Sequence, residues 1–214
     1  MRSLTTIGML IFALNFCGLG DRIKQLTGSA NTPANSTQTS PAQPGQDLKP
    51  PPAEKAVLTP EQRSVADAAS EAAWDDQGMI WRLPSGWKKT EMKKETALFS
   101  SPDGAFLIPT ISTLRDEFPL DIALIGAFNS AQMQARNGKY EMVRVVEIDG
   151  IPGVETVEAM PEDKGDPRRH QWIGYRRYNG QTQQVNIILS TKGSNFDKHK
   201  SDFPAILYSM KIGK

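Results

Sequence analysis

The chain has 214 residues, a single cysteine and nearly balanced charge, with 25 Lys and Arg against 24 Asp and Glu. Nucleic-acid binding relies on concentrated positive charge against phosphate, so this composition predicts no nucleic-acid partner. A single cysteine excludes an intrachain disulfide, so the folded part must be stabilised by its own core, which a region of about 140 residues can supply.

The first 17 residues have the pattern of an export signal. Arg2 precedes an apolar run over residues 7–16, and the only cysteine, Cys17, ends it. The run is too short to span a bilayer, which takes about 20 apolar residues. Residues 1–17 are therefore predicted to be a signal peptide and not a transmembrane helix.

The end of this run resembles a bacterial lipobox. In Leu14-Asn15-Phe16-Cys17 the leucine occupies the position that the motif favours, and a glycine follows the cysteine. The resemblance implies lipidation of Cys17, which would anchor the chain to a membrane outside the cytoplasm. Phe16 departs from the small residue of the motif, and cleavage after Gly20 would instead release a soluble periplasmic or secreted protein. A cytosolic protein with an apolar start is the third alternative.

Residues 18–56 are predicted to be a disordered tether. Ser, Thr, Asn, Gln, Ala and Pro dominate this stretch, and large apolar residues are scarce. Such a composition buries too little surface to offset the entropy of ordering. The prolines at 50–52 favour a locally extended polyproline II conformation at its end.

Residues 57–77 are predicted to form a short helix or linker. Thr59 is placed as the N-cap, Pro60 at the first helical position, and Gln62 completes a capping box. Gly78 is the expected stop. The apolar side of this helix consists mainly of alanines, so it is expected to dock only lightly on the rest of the chain.

Residues 78–214 are predicted to form one globular domain that mixes strands and helices. Helical spacing follows Pro119 and ends near Asn137, and it recurs from Asp202 to Met210. Asn179-Gly180 is the strongest hairpin turn in the chain. Period-two patterns and turn residues place strands at residues 79–83, 97–100, 105–114, 141–148, 153–159, 169–178 and 183–191.

The pattern of the middle strands predicts how the layers stack. Residues 143–148 carry apolar side chains on both faces of a strand. A sheet that is apolar on both sides must be covered on both sides. With one long helix between strands and another at the end, the expected fold class is α/β (α+β), with a central antiparallel sheet sandwiched between helices.

Four motifs lie at turns and core positions of residues 78–214: Leu83-Pro84-Ser85-Gly86-Trp87, Ser101-Pro102-Asp103-Gly104-Ala105, Glu147-Ile148-Asp149-Gly150 and Phe203-Pro204-Ala205-Ile206-Leu207-Tyr208-Ser209. With these motifs, residues 78–214 resemble the PsbP/Mog1-like family of α/β/α domains, which occur in photosystem accessory proteins, a nuclear-transport cofactor and many bacterial lipoproteins. Each shared motif is a turn or core signature, so the resemblance implies a fold and carries no catalytic residues. Most members look like non-enzymatic binding or assembly factors.

The residues that could carry chemistry do not form a familiar catalytic set. Ser85 and Lys88 have the spacing of serine acyl enzymes, but a turn and not a helix is expected there. His170 and His199 lie among basic residues and are interpreted as solvated surface histidines. The acidic residues of the loop 161–167 lack the spacing of a calcium site. No catalytic residue, metal or cofactor is therefore predicted.

A candidate binding face is formed by Trp172, Arg176 and Tyr178, which alternate onto one side of a predicted strand. Together these observations predict an exported, lipid-anchored, non-catalytic binding or assembly module of the bacterial cell envelope, whose partner is another envelope protein or a ligand. The alternative is a secreted or periplasmic hydrolase with a scattered site. That alternative predicts a deep pocket with paired acids or contacts between a histidine and an acid.

Overall fold

A computed structural model describes residues 52–213 of the chain. The predicted signal peptide, the lipidation site Cys17 and nearly all of the predicted tether lie outside the described residues. Within residues 52–213, no helix combines the length and the apolar character needed to cross a membrane.

The described residues form two sheets, three α-helices and two 3-10 helices. The helices are α1 (Pro60–Ala68), α2 (Leu120–Arg136) and α3 (Asp202–Tyr208), with 3-10 turns at Asp75–Gln77 and Gly193–His199. The strands are β1 (Glu54–Lys55), β2 (Ser70–Trp74), β3 (Met79–Leu83), β4 (Lys88–Met92), β5 (Ala97–Ser100), β6 (Phe106–Leu114), β7 (Tyr140–Ile148), β8 (Ile151–Glu158), β9 (Pro167–Tyr178), β10 (Gln181–Lys192) and β11 (Lys211–Ile212).

The larger sheet has eight strands in the order β1-β7-β8-β9-β10-β6-β5-β4, and the smaller has three in the order β11-β3-β2. All pairings are antiparallel except that of β1 with β7. The β9–β10 hairpin turns at Asn179 and Gly180, whose φ angles are 49° and 74°. Positive φ at both positions is what a type I′ turn requires, so the predicted Asn-Gly hairpin is confirmed.

Both faces of the larger sheet are covered, as the apolar pattern of β7 predicts. Val145 points to the face that α2 covers, and Val146 points to the opposite face. The predicted class, a mixed α/β fold with an antiparallel sheet between helices, is confirmed. The face opposite α2 is covered by α3, as predicted, and also by the three-stranded sheet, which was not predicted. The core on this side of the larger sheet contains the largest buried side chains, including Trp74, Trp81, Trp172, Phe99 and Phe203.

The predicted domain boundary at residue 78 is wrong, because β1, α1 and β2 are parts of the domain. The capping box is confirmed: Thr59 Oγ1 accepts from Gln62 N at 3.2 Å, and Gln62 Oε1 accepts from Thr59 N at 3.0 Å. The helix ends at Ala68 and not at Gly78, since residues 70–74 pair with β3. One small residue, Ala66, is buried and lets α1 pack closely on α3.

Candidate functional site

A cavity of about 370 Å³ lies between α1, α3 and the adjoining face of the larger sheet. Part of its charged and polar lining comes from β7, β9 and α3, namely Arg144, His170 and Tyr208. These three side chains converge on one carboxylate, Glu155 of β8, which is fully buried. We call Glu155, Arg144, His170 and Tyr208 the Glu155 cluster.

Both oxygens of the Glu155 carboxylate are hydrogen-bonded within the chain. Its Oε1 accepts from the Tyr208 hydroxyl at 2.6 Å and lies 2.5 Å from His170 Nε2. Its Oε2 accepts from Arg144 Nε at 2.8 Å. An ionised carboxylate only accepts hydrogen bonds, so His170 Nε2 carries a proton and donates it toward Glu155.

Arg144 extends the cluster to the start of the domain. Its Nη2 donates to the Tyr208 hydroxyl at 2.5 Å, and its Nη1 donates to Glu54 of β1 at 3.1 Å. All three guanidinium nitrogens therefore have partners within the chain. The cluster joins β1, β7, β8, β9 and α3 in one network.

The electrostatics fix the protonation states at neutral pH. Burial is the largest single influence on the pKa of Glu155 and opposes ionisation, but the hydrogen bonds and charges of His170, Tyr208 and Arg144 outweigh it and lower the pKa. Burial and the neighbouring carboxylate raise the pKa of Tyr208. Burial opposes the charge of Arg144, yet the attraction of Glu155 raises its pKa overall. At pH 7 the carboxylate is ionised and the phenol is neutral.

The hydroxyl groups beside the Glu155 cluster are engaged within the chain. Within the described residues, the hydroxyl side chains that line the cavity are those of Tyr208 and Thr59, and the Thr59 oxygen caps α1. The Tyr208 hydroxyl is held by Arg144 and Glu155. Among residues 52–213, no group of three or more His, Cys, Asp or Glu side chains is arranged to hold a metal ion. The arrangement can neutralise charge and fix strands together.

Both histidines are buried, with 4% of each exposed, so their interpretation as solvated surface residues is wrong. His199 Nδ1 lies 3.0 Å from Asp202 and its Nε2 lies 3.1 Å from Asp103. The ring stacks on Phe203 with 5.3 Å between centroids. The hydrogen bond to Asp202 and the charge of Asp103 outweigh burial and raise the pKa of His199. Asp202 lies three residues after His199 and was a signal in the sequence, whereas Asp103 is distant in sequence and could not be paired with it by spacing.

The candidate binding face of Trp172, Arg176 and Tyr178 is not an exposed surface. The three side chains do share one side of β9, but Trp172 is 0% exposed, Arg176 is 3% exposed, and Tyr178 is partly buried. The reason is that the α3 side of the sheet is covered. His170 lies two residues before Trp172, so the same alternation along β9 points its side chain inward. This pattern in the sequence could have predicted that His170 is buried.

Trp172 and Arg176 have structural roles in the core. Trp172 Nε1 donates to the Val146 carbonyl at 3.1 Å. The Arg176 guanidinium donates to Gln183 and to the carbonyls of Gln77 and Gly213, each at 2.9 Å. Burial lowers the pKa of Arg176 to about 10, so it remains charged at neutral pH.

A second cavity, of about 410 Å³, is open to the surface between the two sheets. Strand β2 forms one side of it, and β4 with the preceding turn forms the other. We call it the inter-sheet groove. Its apolar lining comes from Ala72, Leu83, Trp87, Met92 and Phe99. Four exposed lysines, Lys88, Lys89, Lys93 and Lys94, lie on or next to β4. Neither this groove nor its position was predicted, since it depends on the smaller sheet.

No protein-family model matches the chain, and no curated protein matches it either. Among solved structures, cyanobacterial PsbP from Synechocystis is 17% identical, with 68% of this chain and 93% of that chain covered and a TM-score of 0.44. LpqN of Mycobacterium tuberculosis, described as involved in cell envelope biogenesis, is 10% identical over 68% and 86%, with a TM-score of 0.48.

The Ran-binding protein Mog1p of Saccharomyces cerevisiae is also similar in structure, at 10% identity over 67% of this chain and 95% of that chain, with a TM-score of 0.42. PsbP and Mog1, which give the family of the sequence resemblance its name, are thus both among the similar structures. At these identities the likeness concerns the fold alone.

Proposed function

We propose that this chain is an exported, lipid-anchored, non-catalytic binding module of the bacterial cell envelope. The observation that carries the proposal is the inter-sheet groove, a preformed cavity of about 410 Å³ that opens between the free edges of two sheets. Preformed concave surfaces with apolar floors and a few polar groups are where proteins bind partners and ligands. The predicted lipidation of Cys17 and the predicted tether supply the anchoring.

The Glu155 cluster supports binding over catalysis. A general base or acid needs a free position within hydrogen-bonding reach of a substrate. Both oxygens of Glu155 and all three nitrogens of Arg144 are instead bound within the chain. Its role in this proposal is to hold the domain together.

The position of β1 also fits a tethered module. β1 lies at one end of the eight-strand order and β4 lies at the other. The chain therefore enters the domain at the opposite sheet edge from the inter-sheet groove. Glu54 is held there by Arg144, and Ala56 N donates to the Glu147 carbonyl at 3.1 Å. An anchored chain would leave the groove accessible.

Site-specific photo-crosslinking in growing cells tests this function. A photoreactive residue replaces Ser85, which is exposed at the groove, or Gln132, which is exposed on α2 and serves as the control. We expect a discrete adduct with one envelope protein from position 85, none from position 132, and loss of the adduct with Cys17→Ser. Equal labelling from both positions would contradict a dedicated binding surface.

A hydrolase is the second candidate, because the 2.5 Å contact between His170 and Glu155 beside a cavity is what that alternative predicted. Hydrolysis of p-nitrophenyl acetate and butyrate by the purified chain tests it. Turnover that disappears in His170→Gln and persists in His199→Gln would favour the hydrolase. Turnover that is the same in both variants would contradict it.

A further inference from the structure

We propose that the inter-sheet groove accepts an extended, acidic segment of a partner protein, which pairs as an additional strand with β2 and β4. This inference rests on the proposed function and names the chemistry of the partner. Strand addition needs unpaired backbone groups at a sheet edge, together with side-chain contacts that give specificity. The groove offers both.

The backbone of β2 directs two residues toward the groove. Arg82 N donates to Ser209 Oγ at 3.4 Å, on the side of β3 that lies away from β2. In an antiparallel pair, residues alternate between facing the partner strand and facing away from it. Glu71, which pairs with Arg82, and Ala73, two residues on, therefore point their N–H and C=O groups away from β3. Both line the groove.

The backbone of β4 also directs two residues toward the groove. Ser101 N donates to the Ala105 carbonyl at 2.8 Å, so Ser101 and, two residues earlier, Phe99 face β6. Lys89, which pairs with Phe99, therefore points its backbone groups away from β5. The register shifts by one residue between Lys89 and Glu91, so Met92, which pairs with Ala97, also points its backbone groups away from β5. Both Lys89 and Met92 line the groove.

Among residues 52–213, one cavity thus receives backbone groups without a partner from an edge strand of each sheet. Neither β2 nor β4 has a second neighbouring strand within these residues. At roughly 3.3 Å per residue, the five residues of β2 match an extended segment of about five residues. Such a segment would place alternate side chains toward the half-buried apolar residues of the groove, Ala72, Trp87 and Met92.

The charge next to β4 selects the chemistry of the segment. Lys88, Lys89, Lys93 and Lys94 are exposed, and Lys89 lines the groove itself. The acidic residues of the same stretch are Glu91, which pairs with Lys93, and the exposed Glu95, so positive charge remains in excess. Charge complementarity therefore favours a partner segment whose outward side chains are acidic. Glu71 on the β2 side makes the two rims different, which gives the segment a preferred side.

The test is fluorescence anisotropy with a labelled acetyl-Val-Glu-Val-Glu-Val-amide peptide and the purified chain carrying Cys17→Ser. We expect saturable binding at low salt that is at least tenfold weaker for the same peptide with Lys in place of Glu. A peptide N-methylated at alternate residues should also bind about tenfold more weakly, since it loses two backbone hydrogen bonds.

Protein variants locate the site. Lys88→Glu with Lys89→Glu should weaken binding at least tenfold at low salt, and less at high salt because exposed charges are screened. Lys192→Glu, an exposed lysine at the end of β10, is the matched control and should change binding less than twofold. Ala73→Pro removes an outward N–H without touching the pairing with β3, and should weaken binding about tenfold.

Several results would overturn the inference. If the lysine peptide or the N-methylated peptide binds as tightly as the acidic peptide, acidic strand addition is excluded. These comparisons use the Cys17→Ser chain alone, so they do not depend on whether any groove variant folds. A crosslinker at position 89 of the purified chain that labels residues 18–51 would identify the chain's own tether as the occupant, and a crosslinked dimer would identify a second copy. If the peptide does not bind while position 85 still crosslinks an envelope protein in cells, only this inference fails. If both experiments fail, the proposed function fails with it.

Discussion

Replacing Glu155 with Gln tests whether the Glu155 cluster stabilises the domain as an ionic network. The substitution keeps the shape of the side chain but removes the charge, and it turns one acceptor into a donor. Glu155 is fully buried and receives hydrogen bonds from Arg144, His170 and Tyr208. Charge-assisted hydrogen bonds contribute about 1.5–3 kcal/mol each. In Glu155→Gln at least one of these bonds is lost, because the new amide NH₂ group faces a side chain that also donates.

We therefore expect Glu155→Gln to lower the free energy of unfolding by about 3 kcal/mol. For a domain of this size that corresponds to a drop in Tm of roughly 6–12 °C. Urea unfolding followed by tryptophan fluorescence at pH 7 measures the change. Glu162→Gln, an exposed residue of the loop after β8, is the control and should shift stability by less than about 0.5 kcal/mol. A Glu155→Gln domain as stable as this control would refute the account of the cluster.

Three further predictions concern other parts of the domain. The raised pKa of His199 means that its stabilising charge is fully present below its unfolded pKa of about 6.5 and is lost as pH rises through the folded pKa. Urea unfolding should therefore give a lower free energy of unfolding at pH 9 than at pH 6, and this difference should be smaller in His199→Gln. An equal difference in the two proteins would contradict the ion pairs of His199 with Asp103 and Asp202. Gly174→Ala should destabilise by about 1–3 kcal/mol, since its Cβ would overlap the buried Trp172 ring, and an unchanged Tm would contradict this packing. Gly126→Ala, on the open side of α2, should instead stabilise by up to about 1 kcal/mol in the same Tm measurement, and a loss of stability there would contradict the exposed placement.

The longer elements were predictable because local patterns and tertiary packing agree there. The Asn179-Gly180 hairpin, β5 and α2 follow turn residues and periodicity directly. β2 was missed because its sequence, Ser-Glu-Ala-Ala-Trp, favours a helix by intrinsic propensity, whereas pairing with β3 makes it a strand. β1 and β11 have two residues each, too few to show a period.

The sites were harder to predict because they depend on contacts between distant residues. Glu155 and Tyr208 are separated by 53 residues, and no spacing rule connects them. Alternation correctly placed Trp172 and Arg176 on one side of β9, but it does not tell which side is covered. That depends on α3 and on the smaller sheet, whose strands come from both ends of the domain.

The intact mass of the mature protein, purified from a membrane fraction, tests most directly the claim that this is an exported, lipid-anchored module. The account predicts a chain that begins at Cys17 with the added mass of acyl groups, and loss of that addition in Cys17→Ser. An unmodified chain that begins at Asp21 would contradict lipid anchoring and would leave a released binding protein. An uncleaved chain that begins at Met1 in the soluble fraction would contradict export altogether.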